Sequence, residues 1–570
     1  MEINLTESLD SESGSGKKSA STLLVELALK RYEFGCTEEG QPFAVKPGGH
    51  VVRMLRGGKN SLRAELSRAH YQLYGKAAPQ QALADALLVL EGQAQDDDPT
   101  PVHLRVAGAG GAIWLDLGDT AETVVRIDAD GWRTVKTDVP VLFQRTALTG
   151  VMPAPQHGGD LELLWQQLNV AKLDRPLVLA WVVAAIATPN VPHPVLSLFG
   201  EQGVAKSTAN KRLVQVVDPS PVPLRKPPRD AESWVTAAQG SWVVGLDNLS
   251  QIPDWLSDSL CRAATGEGDV RRQLYTDGGL AVFAFRRCIV LNGIDVGALR
   301  GDLADRIVHV SLDRISEDKR RKEGELDERW QQTHPQILGA LLAVIAGVIR
   351  TLPSVRLANK PRMADFASVL AALDQLQGTN GLARFAEQAK AMAEDSLSAD
   401  PFLVAMAAAK LEFTGTAAQL LAELTPADER RLPHGWPKTA RSVTGILKRN
   451  APALRKAGWT VEDSTDLHTG LTVWNLIHPE KARNPSPQSP QSPHDAGKAG
   501  KAGNEYEQSQ DAQATNHAQR DGVTLVTDKS EGEPTQLLLP ATHCHCGNQL
   551  VGPKQQAKQL CGVHLMQNSA

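Results

Sequence analysis

Apolar residues fall along the chain in three kinds of run. "QQALADALLVLEG", Gln80 to Gly92, has helical spacing, whereas "AIWLDLG" and "TVVRIDADGW" alternate and predict strands with a turn. Continuous apolar runs cover Leu177 to Ala187 and Ile337 to Ile349. Both stop short of the roughly 20 residues that span a bilayer, so both are expected to be buried helices. From Leu161 to Thr188 two helices lead into "HPVLSLFG". Short apolar strands then recur at "SWVVGLD" (Ser241 to Asp247), "RCIVLNG" (Arg287 to Gly293) and "RIVHVSL" (Arg306 to Leu312), with helical or loop segments between them. That alternation predicts an α/β domain with a largely parallel sheet.

The same patterning divides the chain. Residues 1–22 are polar and rich in small residues, a leader expected to be disordered. Residues 23–155 read as an N-terminal α+β module of unknown role, 160–315 as the α/β core, and 316–400 as a helical subdomain opening with "DRISEDKRRKEGELDERW". Residues 401–478 form another small unit, 480–540 a Pro/Ser/Gln/Gly-rich linker, and 541–570 a Cys/His-containing tail. At 570 residues the chain exceeds one hydrophobic core, and 42% apolar with 22% charged residues predicts that most of it folds. The acidic, Ser/Gly-rich N-terminus has no apolar signal core, so the expected location is cytoplasmic, with no membrane partner. Six cysteines make no disulfide scaffold in a chain this long, and Cys36, Cys261 and Cys288 read as buried thiols. A net charge of -5 leaves room for nucleic acid held on a local basic surface.

The stretch "VLSLFGEQGVAKSTANKRL" carries the first chemistry. A phosphate-binding loop needs a strand ending at a turn of exposed backbone N–H groups, a lysine for the β/γ-phosphates, a hydroxyl for Mg²⁺, and a helix starting there. Gly200, Glu201, Gln202, Gly203, Val204 and Ala205 supply the turn, Lys206 the cation, Ser207 the metal hydroxyl, and Thr208 continues into the helix. Ala205 departs from the usual GxxxxGK[ST] pattern, and its methyl requires a negative φ or mild strain. "GSGKKS" (Gly14 to Ser19) imitates the motif but lacks the preceding strand and is rejected. Asp247 ends an apolar strand where a carboxylate can hold Mg²⁺ through its water shell. Asn292 tips the next strand, suited to orienting water or sensing the γ-phosphate, and Arg306 precedes another, suited to reaching a neighbouring subunit's γ-phosphate.

In this order the motifs resemble the superfamily 3 helicases within the AAA+ ATPases of phages, plasmids and integrated mobile elements, over roughly residues 160 to 315. The resemblance implies a P-loop AAA+ core binding ATP and Mg²⁺ (through Ser207 and Asp247), with Lys206, Asp247, Asn292 and Arg306 as its catalytic set. It also implies a ring, as a hexamer. "LCRAATGEGDVRRQLYTDGGLAVFAFRRCIVLNG" is similar to that family's segment with a channel-facing hairpin, which makes Arg271 and Arg272 candidate DNA contacts. Asn248 stands where such ATPases often carry a second acid. Either Asp247 serves both purposes, or Glu201 or another acid supplies the base, or hydrolysis is slow.

Trp436 to Ile477 reads as a helix, a turn at Ala451-Pro452, a short helix and two strands, an order that suits a winged helix. Between Arg430 and Lys456 every charged residue is Lys or Arg, and Arg441, Lys448 and Arg449 share one helical surface. They are candidate DNA contacts, against the plainer reading of a solvated face packing on the core. Cys544, Cys546, Cys561 and His564 form C-x-C and C-x-x-H pairs with the ligand types of a small Zn²⁺ site, against a plain thiol-bearing tail. Asp128 and Asp130 are explained by a hairpin turn, and no primase activity is assigned. The leading expectation is an ATP-dependent DNA helicase or translocase replicating a bacterial mobile element, working with other replication proteins. The competing expectations are an ATP-regulated DNA-binding switch or defence ATPase without unwinding, and a DNA-binding scaffold with a dead nucleotide fold.

Overall fold

The computed structural model describes residues 18–482 apart from 58–60, 273–279, 295–298, 300, 399, 427–431, 434 and 466–469. A helix Ala20–Arg31 opens the described chain, the Ser19 hydroxyl accepting the Thr22 N–H at 3.1 Å. That cap ends the polar leader before residue 22, earlier than composition implied. Two further helices and a mixed five-stranded sheet, completed by Leu142–Gln144, enclose in sequence a four-stranded antiparallel meander, Val106–Ala109, Ala112–Asp116, Val124–Asp128 and Gly131–Val135. Asp128 and Asp130 lie at its last turn, the Asp128 carboxylate accepting the Asp130 N–H at 3.0 Å. The break expected near residue 155 is not a break in the core: Val106, Leu115, Val125 and Ile127 share one buried cluster with Trp181 and Leu341.

The central domain begins with α1 (Arg175–Ala187), whose residues Leu177 to Ala187 are all buried. It continues through β1 (Val195–Phe199), α2 (Lys206–Val217), β2 (Leu224–Arg225), α3 (Ala231–Gln239), β3 (Val243–Leu249) and α4 (Asp254–Thr265). A hairpin of β4 (Gly268–Arg272) and β5 (Leu280–Ala284) precedes β6 (Cys288–Gly293) and β7 (Ile307–His309). The sheet order is β2-β3-β6-β1-β7, every pair parallel. Because β1 sits between β6 and β7, the first strand is interior, and the crevice beyond its carboxyl end is where open α/β sheets receive ligands. Gly245 lets α2 lie close on this sheet, since a β-carbon there would come within 2.8 Å of Asn210 Oδ1.

Helices α5 (Glu323–Thr351), α6 (Ala364–Gln377) and α7 (Gly381–Ser398) cover one side. By length and composition alone α5 is long and apolar enough to cross a membrane. Its Ile337, Leu338, Leu341, Leu342 and Ile345 are fully buried in the shared core, as expected of a core helix. The C-terminal unit comprises α8 (Pro401–Ala408), β8 (Glu412–Thr416), α9 (Ala417–Leu424), α10 (Ala440–Lys456), β9 (Thr460–Thr465) and β10 (Thr472–Ile477), with sheet order β8-β10-β9. The turn expected at Ala451-Pro452 is absent, and α10 runs unbroken through Pro452. An interior proline costs about 3 kcal/mol. Val443, Leu447, Ala451 and Leu454, buried along one face of α10, offset it.

Candidate nucleotide site and nucleic-acid face

β1 delivers the chain to the loop Gly200 to Ala205, and α2 starts at Lys206. Gly203 has φ 87°, a conformation that suits glycine, and buried Val204 fastens the loop to the domain. Ala205 has φ 59° and ψ 35°, so of the two alternatives for its methyl the strained one occurs. A non-glycine residue there costs roughly 1–2 kcal/mol, so Ala205→Gly is expected to stabilise the chain by about 1 kcal/mol after glycine's greater unfolded-state entropy is subtracted. Chemical denaturation reads this, and an unchanged or lowered midpoint would contradict the strain. Lys206 Nζ donates to the carbonyls of Gly200 at 2.8 Å and Glu201 at 2.5 Å, and burial lowers its pKa. Gln202 is exposed and Thr208 partly so.

Ser207, Asp247 and Asn292 converge although they come from three elements. Ser207 Oγ donates to Asp247 Oδ1 at 2.8 Å, and Asn292 Nδ2 donates to the same oxygen at 2.7 Å. Asn292 is 1% exposed, and its Oδ1 accepts the Asn248 backbone N–H at 2.6 Å. The pairing of β3 with β6 is irregular between Leu246 and Leu249, and Asn248 there has φ 59°. Asparagine tolerates that left-handed region better than glutamate does, a local reason for an amide where a second acid was expected. The hydroxyl and carboxylate are hard oxygen donors beside a phosphate-type loop, a set that fits Mg²⁺, which takes few protein ligands.

Glu201, one alternative base, has its carboxylate bound by Arg314 Nε at 2.8 Å. Arg306 lies at the amino end of the sheet, its carbonyl accepting the Val195 N–H, and it is 7% exposed. Its guanidinium holds the Asp302 carbonyl at 2.9 Å and the Asp302 carboxylate at 2.5 Å, bonds that brace its own turn. Burial alone would raise the Asp302 carboxyl, but the bond and charge of Arg306 outweigh it and the pKa is lowered. The cation more open to solvent at this turn is Arg362, 3.0 Å from Asp302.

Arg271 and Arg272 fall at the end of β4, paired with Ala281 and Leu280 across the hairpin. Arg441, Lys448 and Arg449 are all exposed on α10, and none has an ion pair among the described residues. Farther along the helix, Arg455 donates to the Val461 carbonyl and Lys456 pairs with Asp305 of the central domain. Cys544, Cys546, Cys561 and His564 lie outside the described residues. Among the described residues no group of three His, Cys, Asp or Glu side chains could hold a metal. Cys36, Cys261 and Cys288 are buried and unpaired, and burial pushes the Cys261 thiol up to about 12.

Sequence reading missed Arg314, Arg320 and Arg362. The first two were visible only as members of the charged run "DRISEDKRRKEGELDERW", read as the opening of a helical subdomain.

Comparison with known proteins gives a family. Residues 161–395 match the model of the actinomycete integrative conjugative element replication protein, and residues 402–491 match the AICE RepA C-terminal domain. No curated protein matches. Among solved structures the chain is similar to the apo structure of the NrS-1 C terminal region (305-718), at 10% identity and TM-score 0.35 over 81% of this chain and 100% of that one. The A form apo structure of the same region has 10% identity and TM-score 0.35 over 80% and 98%. Together the two family models match more than half of the chain, which therefore belongs to the replication proteins of actinomycete integrative conjugative elements.

Proposed function

We propose that this replication protein is an ATP-dependent DNA helicase or translocase of the superfamily 3 type, with a P-loop AAA+ core and a winged-helix DNA-binding unit. It replicates the mobile element's DNA as a ring. The observation that carries the reading is the meeting of Ser207, Asp247 and Asn292 beside Lys206, at the carboxyl end of a parallel sheet whose first strand is interior. Phosphoryl transfer needs little covalent chemistry from a protein and is catalysed by positioning and charge. Lys206 would neutralise phosphate oxygens, and Ser207 and Asp247 would hold Mg²⁺, which supplies charge neutralisation when bound. Asn292, fixed at both ends of its amide, would hold the Asp247 carboxylate in one orientation. Arg306, and beside it the more exposed Arg362 on the same Asp302 carboxylate, are the cations available for a ring contact.

A strand-displacement assay with purified protein, ATP and Mg²⁺ tests this. Wild type is expected to unwind and Lys206→Ala to lose both unwinding and hydrolysis; unwinding that persists in Lys206→Ala defeats the assignment. Replacing Arg441, Lys448 and Arg449 together by alanine is expected to reduce the slope of log affinity against log salt by about 2–3, since each phosphate contact contributes about 0.9. An unchanged slope would return α10 to a plain solvated face.

Asn248 favours a second reading, an ATP-regulated DNA-binding switch, because an amide cannot accept a proton from water. ATP-dependent assembly with turnover that DNA fails to stimulate would select it.

A further inference from the structure

The stretch from Asp313 to Lys322, between β7 and α5, runs beside the phosphate loop. Arg314 binds the Glu201 carboxylate through Nε at 2.8 Å and through a second guanidinium N–H. A β-carbon placed on Gly203 would lie 3.6 Å from Arg320 Nη2, so that guanidinium rests against the loop backbone. Both ends of the stretch are anchored. Before it, the Asp313 N–H donates to the Asn169 carbonyl at 2.9 Å, and Leu312 bridges to Val170. After it, the start of α5 is pinned to α2, the helix that begins at Lys206. Asp327 takes Lys211 Nζ at 3.1 Å and Arg212 Nη2 at 2.6 Å, and Glu323 lies 3.6 Å from Lys211. Arg212 also stacks over Trp330 of α5, 5.1 Å from the ring centre.

Resting on the nucleotide reading above, we infer that Asp313 to Lys322 is a strap from the same chain whose Arg320 contacts the terminal phosphate of a bound nucleoside triphosphate, with the Arg314–Glu201 pair holding the strap in place. Lys206 and one Mg²⁺ together would still leave part of a triphosphate's charge, about four negative charges in all, without a partner. A planar guanidinium beside Gly203 adds a forked donor suited to phosphate oxygens. The acid of the loop itself, Glu201, is already neutralised by Arg314, so it does not compete with phosphate for Arg320. The same guanidinium chemistry would also suit a DNA backbone phosphate, and the experiment separates the two sources.

The test is calorimetric binding of Mg·ATP and Mg·ADP to the full chain, alongside DNA binding without nucleotide. Arg320→Ala is expected to weaken ATP at least tenfold while changing ADP less than threefold and leaving DNA affinity unchanged. Arg320→Lys is expected to recover part of the ATP loss, since it restores charge without the fork. A circular-dichroism melt matching wild type excludes misfolding. ATP affinity unchanged in Arg320→Ala, equal losses for ATP and ADP, or a loss confined to DNA would each overturn the strap. Absence of ATP binding by the wild type would instead overturn the nucleotide reading, and the strap with it.

Discussion

Arg105→Ala is expected to cost about 3–5 kcal/mol of folding stability, the range for removing one partner of a buried ion pair. Arg105 is fully buried, and its Nε donates to Asp218 Oδ1 at 2.8 Å. Its other nitrogens serve the carbonyls of Asp116 and Gly150, each at 2.8 Å, and Pro219 at 3.3 Å. Alanine would leave a nearly buried carboxylate without its counter-charge and three carbonyls without this donor. The consequence extends to the candidate nucleotide site, because Asp218 ends α2, its backbone N–H bonded to the Val214 carbonyl, and its Oδ2 accepts the N–H groups of Trp242 at 2.7 Å and Val243 at 3.1 Å. One residue thus ties the end of the helix that begins at Lys206, through its backbone, to the strand that leads to Asp247, through its carboxylate. Chemical denaturation of the full chain reads the first unfolding transition. A loss below about 1 kcal/mol would show that the meander and the central domain do not depend on this pair. Arg105→Lys is expected to recover less than half, because an ammonium cannot serve Asp218 and the separated carbonyls with one planar fork.

This joint explains why some of the molecule was legible in sequence and some was not. Four of the five strands of the parallel sheet were readable as short apolar runs, whereas Leu224–Arg225 is too short to show one, and the loop before α2 was readable because its spacing is local. Ser207 was picked out by the loop motif and Asp247 and Asn292 by their places toward strand ends, and parallel strands bring their carboxyl ends to one edge. Arg105 had no such signal: it sits in an ordinary stretch before a strand, and its partner is 113 positions away. Arg306 shows a second limit: its place before a strand was visible in sequence, but its burial and its bonds to Asp302 were not. The unbroken α10 shows a third limit, for Pro452 is a breaker by propensity and the apolar stripe on either side of it prevails.

Asp247→Asn is expected to lower ATP hydrolysis at least about a hundredfold, because several kcal/mol of transition-state charge stabilisation depend on the metal this carboxylate would help hold. The substitution is nearly isosteric. The amide oxygen can still accept from Ser207 Oγ and Asn292 Nδ2, the two donors now aimed at Asp247 Oδ1, so stability should stay within about 1 kcal/mol of wild type. What is lost is charge, not shape. ATP binding without Mg²⁺ should therefore be unchanged, while the gain in affinity on adding Mg²⁺ should disappear. Hydrolysis retained within a few-fold of wild type would mean that Asp247 does not serve the metal, and the hydrogen bonds converging on it would then be only a brace between α2, β3 and β6. Asn248→Asp makes the complementary change one residue on, where aspartate tolerates the left-handed backbone. If Asp247 acts as both metal holder and base, a carboxylate at 248 in the Asp247→Asn background should not restore turnover, because it extends from a different point of the irregular strand.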